Sequence, residues 1–158
     1  MTTLKDSARA FLSLRRIAVA GVSRSPGHAA NAIYNKLRGS GHEVYAINPN
    51  ATQVEGDTCY KDLQSIPGGI EGLVIVTRPA AADALAHECL KNGVRRVWMH
   101  RAIGQGSVSA EAVRFCRENG ISVIDGACPL MFIEPVDVFH KCFRWVLGWT
   151  RQLPRPVD

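Results

Sequence analysis

Compact apolar runs alternate with amphipathic stretches along almost the whole chain, and this alternation limits the folds available to it. Arg16-Ile17-Ala18-Val19-Ala20 ends at Gly21, and Glu43–Ile47 ends at Asn48-Pro49-Asn50. Leu73-Val74-Ile75-Val76 is the most strand-like run, Val94–Met99 and Ile121–Ile124 follow, and a further short strand is expected near Thr58–Tyr60. Short runs that are apolar at successive positions read as strands buried on both faces of a sheet. Between them the apolar residues take helical spacing. Leu4, Ala8, Phe11 and Leu12 form one such face, and Ala30, Ile33, Tyr34 and Leu37 another, stopped by Gly39 and Gly41. Pro79 opens a helix through about Asn92 with Gly93 as its cap. Val108–Glu118 and Val136–Leu147 complete the helices, with a helical turn at Lys61–Ile66.

Strands alternating with helices of this length are joined by right-handed crossovers into a parallel sheet. The expectation is an α/β fold: a doubly wound, mostly parallel sheet of about five strands in the order 3-2-1-4-5, with helices on both faces. Residues 1–150 read as a single domain and 151–158, with Pro154 and Pro156, as a frayed tail.

Composition narrows the class. Of 158 residues, 46% are hydrophobic and 21% charged, which excludes disordered and collagen-like chains. No apolar run approaches the ~18 residues of a spanning helix, and MTTLKDSARAFLSLRR lacks the apolar core and small-residue cleavage site of a signal peptide. The five cysteines, at 59, 89, 116, 128 and 142, are odd in number and contain no CxxC pair. A disulfide framework or a structural zinc site is therefore not expected, and a reducing, cytoplasmic location is. The formal charge of +5 comes from scattered arginines, adjacent only at Arg15-Arg16 and Arg95-Arg96. Without a basic run interleaved with aromatics, neither nucleic acid nor a membrane surface is an expected partner.

Doubly wound sheets take their ligands at the carboxyl ends of the strands, where the strand order reverses. That rule selects three loops. The first, Gly21-Val22-Ser23-Arg24-Ser25-Pro26-Gly27-His28, joins a strand to a helix N-terminus, where backbone N–H groups can cradle phosphate. Only Gly21 stands at a position of the GxGxxG fingerprint, and a strand-to-helix turn that merely needs glycine is the plainer alternative. The second loop, Asn48-Pro49-Asn50, lacks the acid that holds a ribose 2′-hydroxyl and the base that suits a 2′-phosphate. NAD is disfavoured, while Pro49 offers a stiff, flat surface to an adenine. In the third, Thr77-Arg78-Pro79, Arg78 can meet a phosphate bidentately and Pro79 suits a first helical turn. Each loop alone also reads as plain structure. Together they point to a phosphorylated, adenine-containing ligand other than NAD.

Four blocks in this order resemble the small CoA-binding proteins with a single Rossmann-like domain, itself similar to the nucleotide-binding part of the succinyl-CoA synthetase alpha subunit. The blocks are Ile17–Ser23, Val44–Pro49, Thr77-Arg78-Pro79 and Val97-Trp98-Met99, and the resemblance covers about residues 10–128. It implies coenzyme A, or a short acyl-CoA, held across the three loops. Gly21, Val22, Ser23, Ser25, Pro26, His28 and Asn31 would serve the pyrophosphate and the start of the pantetheine. Asn48, Pro49, Thr77, Arg78 and Pro79 would bracket the adenosine, and Met99 would lie toward the pantetheine arm. The chain departs from the family in having His100 where glutamine is common, and Ala127-Cys128-Pro129 where Arg-Cys is common. The domain in which those ligases carry a phosphorylated histidine has no counterpart, so ligase activity is not implied.

The expectation is therefore a non-catalytic binding or sensing protein. Two further readings stay open. Cys128 and His100 each follow a strand, so a thiolate beside an imidazole could serve a CoA-dependent transferase or hydrolase, or thiol redox chemistry. The domain could also bind another adenine nucleotide. Val136, Phe139, Phe143, Val146 and Leu147 give the last helix an apolar face expected to pack on the sheet's flanking helices, and Trp145 and Trp149 add a further face that could join two copies as a homodimer. No metal-binding pattern is present.

Overall fold

The computed structural model describes residues 2–149. The expected tail at 151–158 and the side chains of Phe143, Leu147 and Trp149 lie outside the described residues. The strands are β1 (Arg16–Ala20), β2 (Glu43–Ile47), β3 (Gln53–Val54), β4 (Asp57–Tyr60), β5 (Gly72–Ile75), β6 (Arg96–Met99) and β7 (Ser122–Asp125). The helices are α1 (Leu4–Leu12), α2 (Ala29–Gly39), α3 (Pro79–Lys91), α4 (Ala110–Glu118) and α5 (Val138–Trp149), with a 3₁₀ turn at Pro129–Met131.

One sheet holds all the strands in the order β3-β4-β2-β1-β5-β6-β7. Every pair is parallel except β3 with β4. The inner order β4-β2-β1-β5-β6 is the expected 3-2-1-4-5. The strand count is corrected from about five to seven. β7 extends one edge, and β3 adds a two-residue antiparallel strand folded back on β4 at the other, too short to carry a periodic signal. The order reverses between β1 and β5, so the crevice for a ligand lies over their carboxyl ends.

The sheet separates two apolar layers. Phe11 of α1, Ile33, Tyr34 and Leu37 of α2, and Trp98 of β6 pack on one face. Trp98 is fully buried, meets Phe11 edge to face at 5.5 Å, and donates its indole N–H to the Gly126 carbonyl at 2.9 Å. On the other face α3 and α4 bury small residues, Ala82, Ala86, Cys89, Ala112 and Cys116, which lets both helices lie close to the strands.

Several boundaries differ from expectation for local reasons. Val94 belongs to the end of α3 rather than to β6. Gly93 takes φ +71°, Gly93 N–H donates to Leu90 O, and Val94 N–H donates to Cys89 O, a paired closure of the helix end. Lys61–Ile66 is a series of turns rather than a helix, with Asp62 Oδ1 accepting the Ser65 N–H at 2.8 Å. The helices expected from Val108 and Val136 start at Ala110 and Val138, the former where Ser109 caps the chain; of the face expected to pack from the last helix, Val136 is buried but Phe139 and Val146 are exposed.

Candidate functional site

The three loops form one connected surface. Gly21 takes φ +101°, and a Cβ there would stand 2.2 Å from the Val76 carbonyl oxygen and 3.3 Å from Thr77 Cγ2, so the first loop lies directly on the third. Gly21 N–H donates to Ile47 O at 3.0 Å, and Asn48 Nδ2 donates to Val22 O at 2.9 Å, which ties the second loop to the first. Asn48 Oδ1 also accepts the Asn50 N–H. Asn48 thereby uses its amide to shape both turns.

The expected site residues divide by what their side chains are free to do. Asn31 is buried; its Oδ1 accepts the Ser23 N–H at 2.9 Å, and its Nδ2 donates to Ser23 O at 2.8 Å and to Glu55. It grips the first loop with all the polar atoms it has. Val22 and Met99 are buried in the two apolar layers, beneath the surface a ligand would touch. Ser25, Pro26, His28, Pro49 and Arg78 are exposed, and Ser23, Thr77 and Pro79 are half-buried. Among the described residues the Arg78 guanidinium has no hydrogen-bond or ion-pair partner.

Two helix N-termini meet this surface without the usual caps. α2 follows His28 and α3 follows Arg78; neither has a side-chain cap or an acid in its first turn. The contrast is with α1, closed by a Thr3–Asp6 capping box, and α4, capped by Ser109 with Glu111 in its first turn. Uncapped first-turn N–H groups and the positive end of the helix dipole together favour an anion.

Beside the first two loops lies an open cleft of about 670 Å³. Arg24, Pro49, Thr52, Tyr60, Lys61 and Ser65 contribute to its lining. Arg24 and Lys61 bring positive charge, have no ion-pair partner among the described residues, and share the lining with no carboxylate. Lys61 escapes a reading confined to three loops. The signal was available, because the carboxyl-edge rule applies equally to the end of β4, the residue just before Lys61.

The cleft wall is built by the β3–β4 hairpin, which α2 holds in place. Asn35 Nδ2 donates to Glu55 Oε2, and the Tyr34 hydroxyl and the Arg38 guanidinium both donate to Asp57 Oδ2. Bonds from Asn35 and Asn31 hold the Glu55 carboxyl below its ordinary range, and the bond from Tyr34, then that from Arg38, does the same for Asp57.

His100 and Cys128 are neighbours in the fold without forming a reactive pair. Arg101 N–H donates to Ala127 O at 3.1 Å, which brings the loop after β6 beside the loop after β7. His100 and Cys128 share no hydrogen bond. Burial pushes the Cys128 thiol up to about 11, despite an N–H bond from Leu130, and burial pushes the His100 imidazole down from its ordinary value. Both groups are therefore neutral near pH 7, the opposite of an activated thiolate beside an imidazolium. Among the described residues no cluster of three His, Cys, Asp or Glu could hold a metal, and no helix is long and apolar enough to cross a membrane.

Residues 15–134 match the protein family described as a CoA binding domain. The chain belongs to that family. Within and beyond it, the chain is 27% identical over 114 residues to the uncharacterized protein YneT of Bacillus subtilis (strain 168), covering 72% of this chain and 82% of YneT. It is 30% identical over 105 residues to the acetate–CoA ligase [ADP-forming] II subunit alpha of Pyrococcus furiosus, covering 66% of this chain but 23% of that subunit. This CoA-binding-domain protein is thus related to part of the ADP-forming acetate–CoA ligases and spans less than a quarter of that subunit. Among solved structures, a hypothetical protein from Pyrococcus horikoshii OT3 superposes with a TM-score of 0.77 at 26% identity, covering 84% of this chain and 91% of that one.

Proposed function

We propose that this protein binds coenzyme A, or a short acyl-CoA, at the carboxyl edge of the sheet, as a cytoplasmic, non-catalytic binding or sensing domain over residues 1–150. The observation that carries the proposal is the junction of uncapped helix starts at His28 and Arg78 with a cation-lined cleft at Arg24 and Lys61, in a chain of the CoA-binding-domain family. The pyrophosphate sits on the Gly21–Ser23 turn and the first N–H groups of α2, with the Arg78 guanidinium as a counter-charge. The adenosine lies against Pro49, and the 3′-phosphate meets Arg24 and Lys61. Val22, Asn31, Asn48 and Met99 support this surface from within. NAD carries no 3′-phosphate for these cations and finds no acid at Asn48–Asn50 for its ribose.

The neutral states of Cys128 and His100 favour binding over covalent chemistry. α5 leaves Val138 at 76% and Trp145 at 71% exposure, and a homodimer through this helix belongs to the same reading. Calorimetric titration of the full chain with CoA, NAD and ATP tests the proposal. CoA should bind and NAD should not; binding of NAD or ATP without CoA would overturn it. Turnover of an acyl-CoA that disappears in Cys128→Ser would overturn the non-catalytic part.

A further inference from the structure

A second cleft, of about 560 Å³, lies at the far end of the same carboxyl edge. It is formed by the loop after β6, one face of α4 and the end of β7, with Arg101, Gln105, Arg114, Arg117, Glu118 and Asp125 as its polar lining. Arg117 donates to Asp125 Oδ2 at 3.3 Å, while Asp125 Oδ1 is buried with no hydrogen-bond partner among the described residues. The Arg114 guanidinium has no partner among the described residues. Gly126 leaves room for the Arg101 guanidinium at the strand end, 3.0 Å from where a Cβ would stand. Val108, Ala110 and Val113 supply an apolar wall. The cleft thus sets a short greasy surface beside the guanidinium groups of Arg101, Arg114 and Arg117, which face the carboxylates of Glu118 and Asp125.

Its position matters as much as its lining. From β1, beneath the phosphate-binding turn, to β7 there are three strand intervals in the order β1-β5-β6-β7. At ~4.8 Å per interval that is about 14 Å. A pantetheine arm, with its two amides, is as long as about four extended residues, again ~14 Å. A thioester on CoA bound at the Gly21 turn therefore reaches the mouth of the second cleft.

We infer that this cleft selects the acyl group of the bound CoA, and that the preferred group ends in a carboxylate, an ω-carboxyacyl thioester. The inference rests on the CoA reading above. The acyl methylenes lie along Val108 and Val113, and the terminal carboxylate meets Arg114, with Arg101 contributing to the local positive field.

The test uses succinyl-CoA against butyryl-CoA, two four-carbon thioesters that differ in the terminal carboxylate, with CoA and free succinate as further arms, all titrated into the full-length chain. Succinyl-CoA should bind about tenfold more tightly than butyryl-CoA, the discrimination of one charge-assisted contact. Arg114→Gln should remove the preference, and Arg95→Gln, a control at the opposite edge of the sheet, should retain it. The preference should also shrink as salt rises. Equal binding of the two thioesters, with CoA itself bound, overturns this inference and leaves the CoA reading standing. A preference that survives Arg114→Gln overturns it as well. Free succinate bound tightly with no advantage for succinyl-CoA would give the cleft to a free dicarboxylate instead. Failure of CoA itself to bind overturns both.

Discussion

Replacing Gly21 with alanine separates the structural from the ligand-binding demand on the first loop. Two costs add at this position. The backbone φ of +101° lies where L side chains are strained, at ~1–3 kcal/mol. The new Cβ would stand 2.2 Å from the Val76 oxygen, whereas ordinary contact begins at 3.4 Å. The chain must therefore yield by about 1.2 Å, and relief of such overpacking costs a further ~1–3 kcal/mol. Val76 cannot retreat freely, because its N–H is bonded to Ala20 O at 2.9 Å. The expected loss is about 4 kcal/mol, a large part of the ~5–15 kcal/mol a domain has. In thermal unfolding this is a drop of roughly 12 °C at ~2–4 °C per kcal/mol. Gly93→Ala is the control: φ is +71° and nothing lies within 4 Å of its Cβ, so the conformational cost stands alone at ~1–2 kcal/mol. Urea unfolding of both variants decides the matter. If Gly21→Ala costs no more than Gly93→Ala, the close approach to Val76 is not what requires glycine, and the reasoning fails.

Other consequences follow from the same geometry. Cys142 is the one exposed cysteine among the five, and burial raises the Cys128 thiol to about 11, so one thiol per chain should react rapidly with Ellman's reagent at pH 8. Rapid labelling that persists in Cys142→Ser would contradict the burial of the others. Asp57 is held below its ordinary value of 3.8, so its contribution is present above that value and lost as pH falls through the lowered one. The unfolding midpoint should fall below about pH 4, and Asp57→Asn should flatten that fall; an unchanged slope would remove the Tyr34–Asp57–Arg38 cluster from the account. Arg24→Ala with Lys61→Ala should weaken CoA about tenfold or more and bring it level with dephospho-CoA, read by calorimetry. An undiminished preference for CoA would take the 3′-phosphate away from this cleft.

The inner strand order was legible because each buried parallel strand is a continuous apolar run between helices, a pattern that few topologies satisfy. β3 was not: two residues at an antiparallel edge hold no period, and they are set by the turn at Glu55-Gly56, where Glu55 takes φ +51°. The loops were legible through the rule that ligands sit at strand ends. The tasks of particular residues within them were not. Asn31 looks from its place at a helix start like a phosphate ligand, yet it is consumed by the Ser23 peptide, a bond that only the folded loop shows. Met99 follows the same logic: its neighbourhood in sequence is the strand end, but the pleat turns its side chain into the layer beneath α3 and α4. Lys61 follows an expected strand and was open to the same rule, whereas Arg114 lies on a segment that carries no motif and becomes a candidate only when the fold turns it toward a cleft.

The most direct test of the central claim is to follow backbone amide resonances of the full chain while CoA is added. The account expects the largest shifts at the N–H groups of residues 21–30 other than Pro26 and of Thr77, Arg78 and Ala80, accompanied by Lys61 and its neighbours, with β3 and β4 responding as the wall of the cleft. Shifts confined to other surfaces, or none at CoA concentrations that saturate a calorimetric titration, would contradict it.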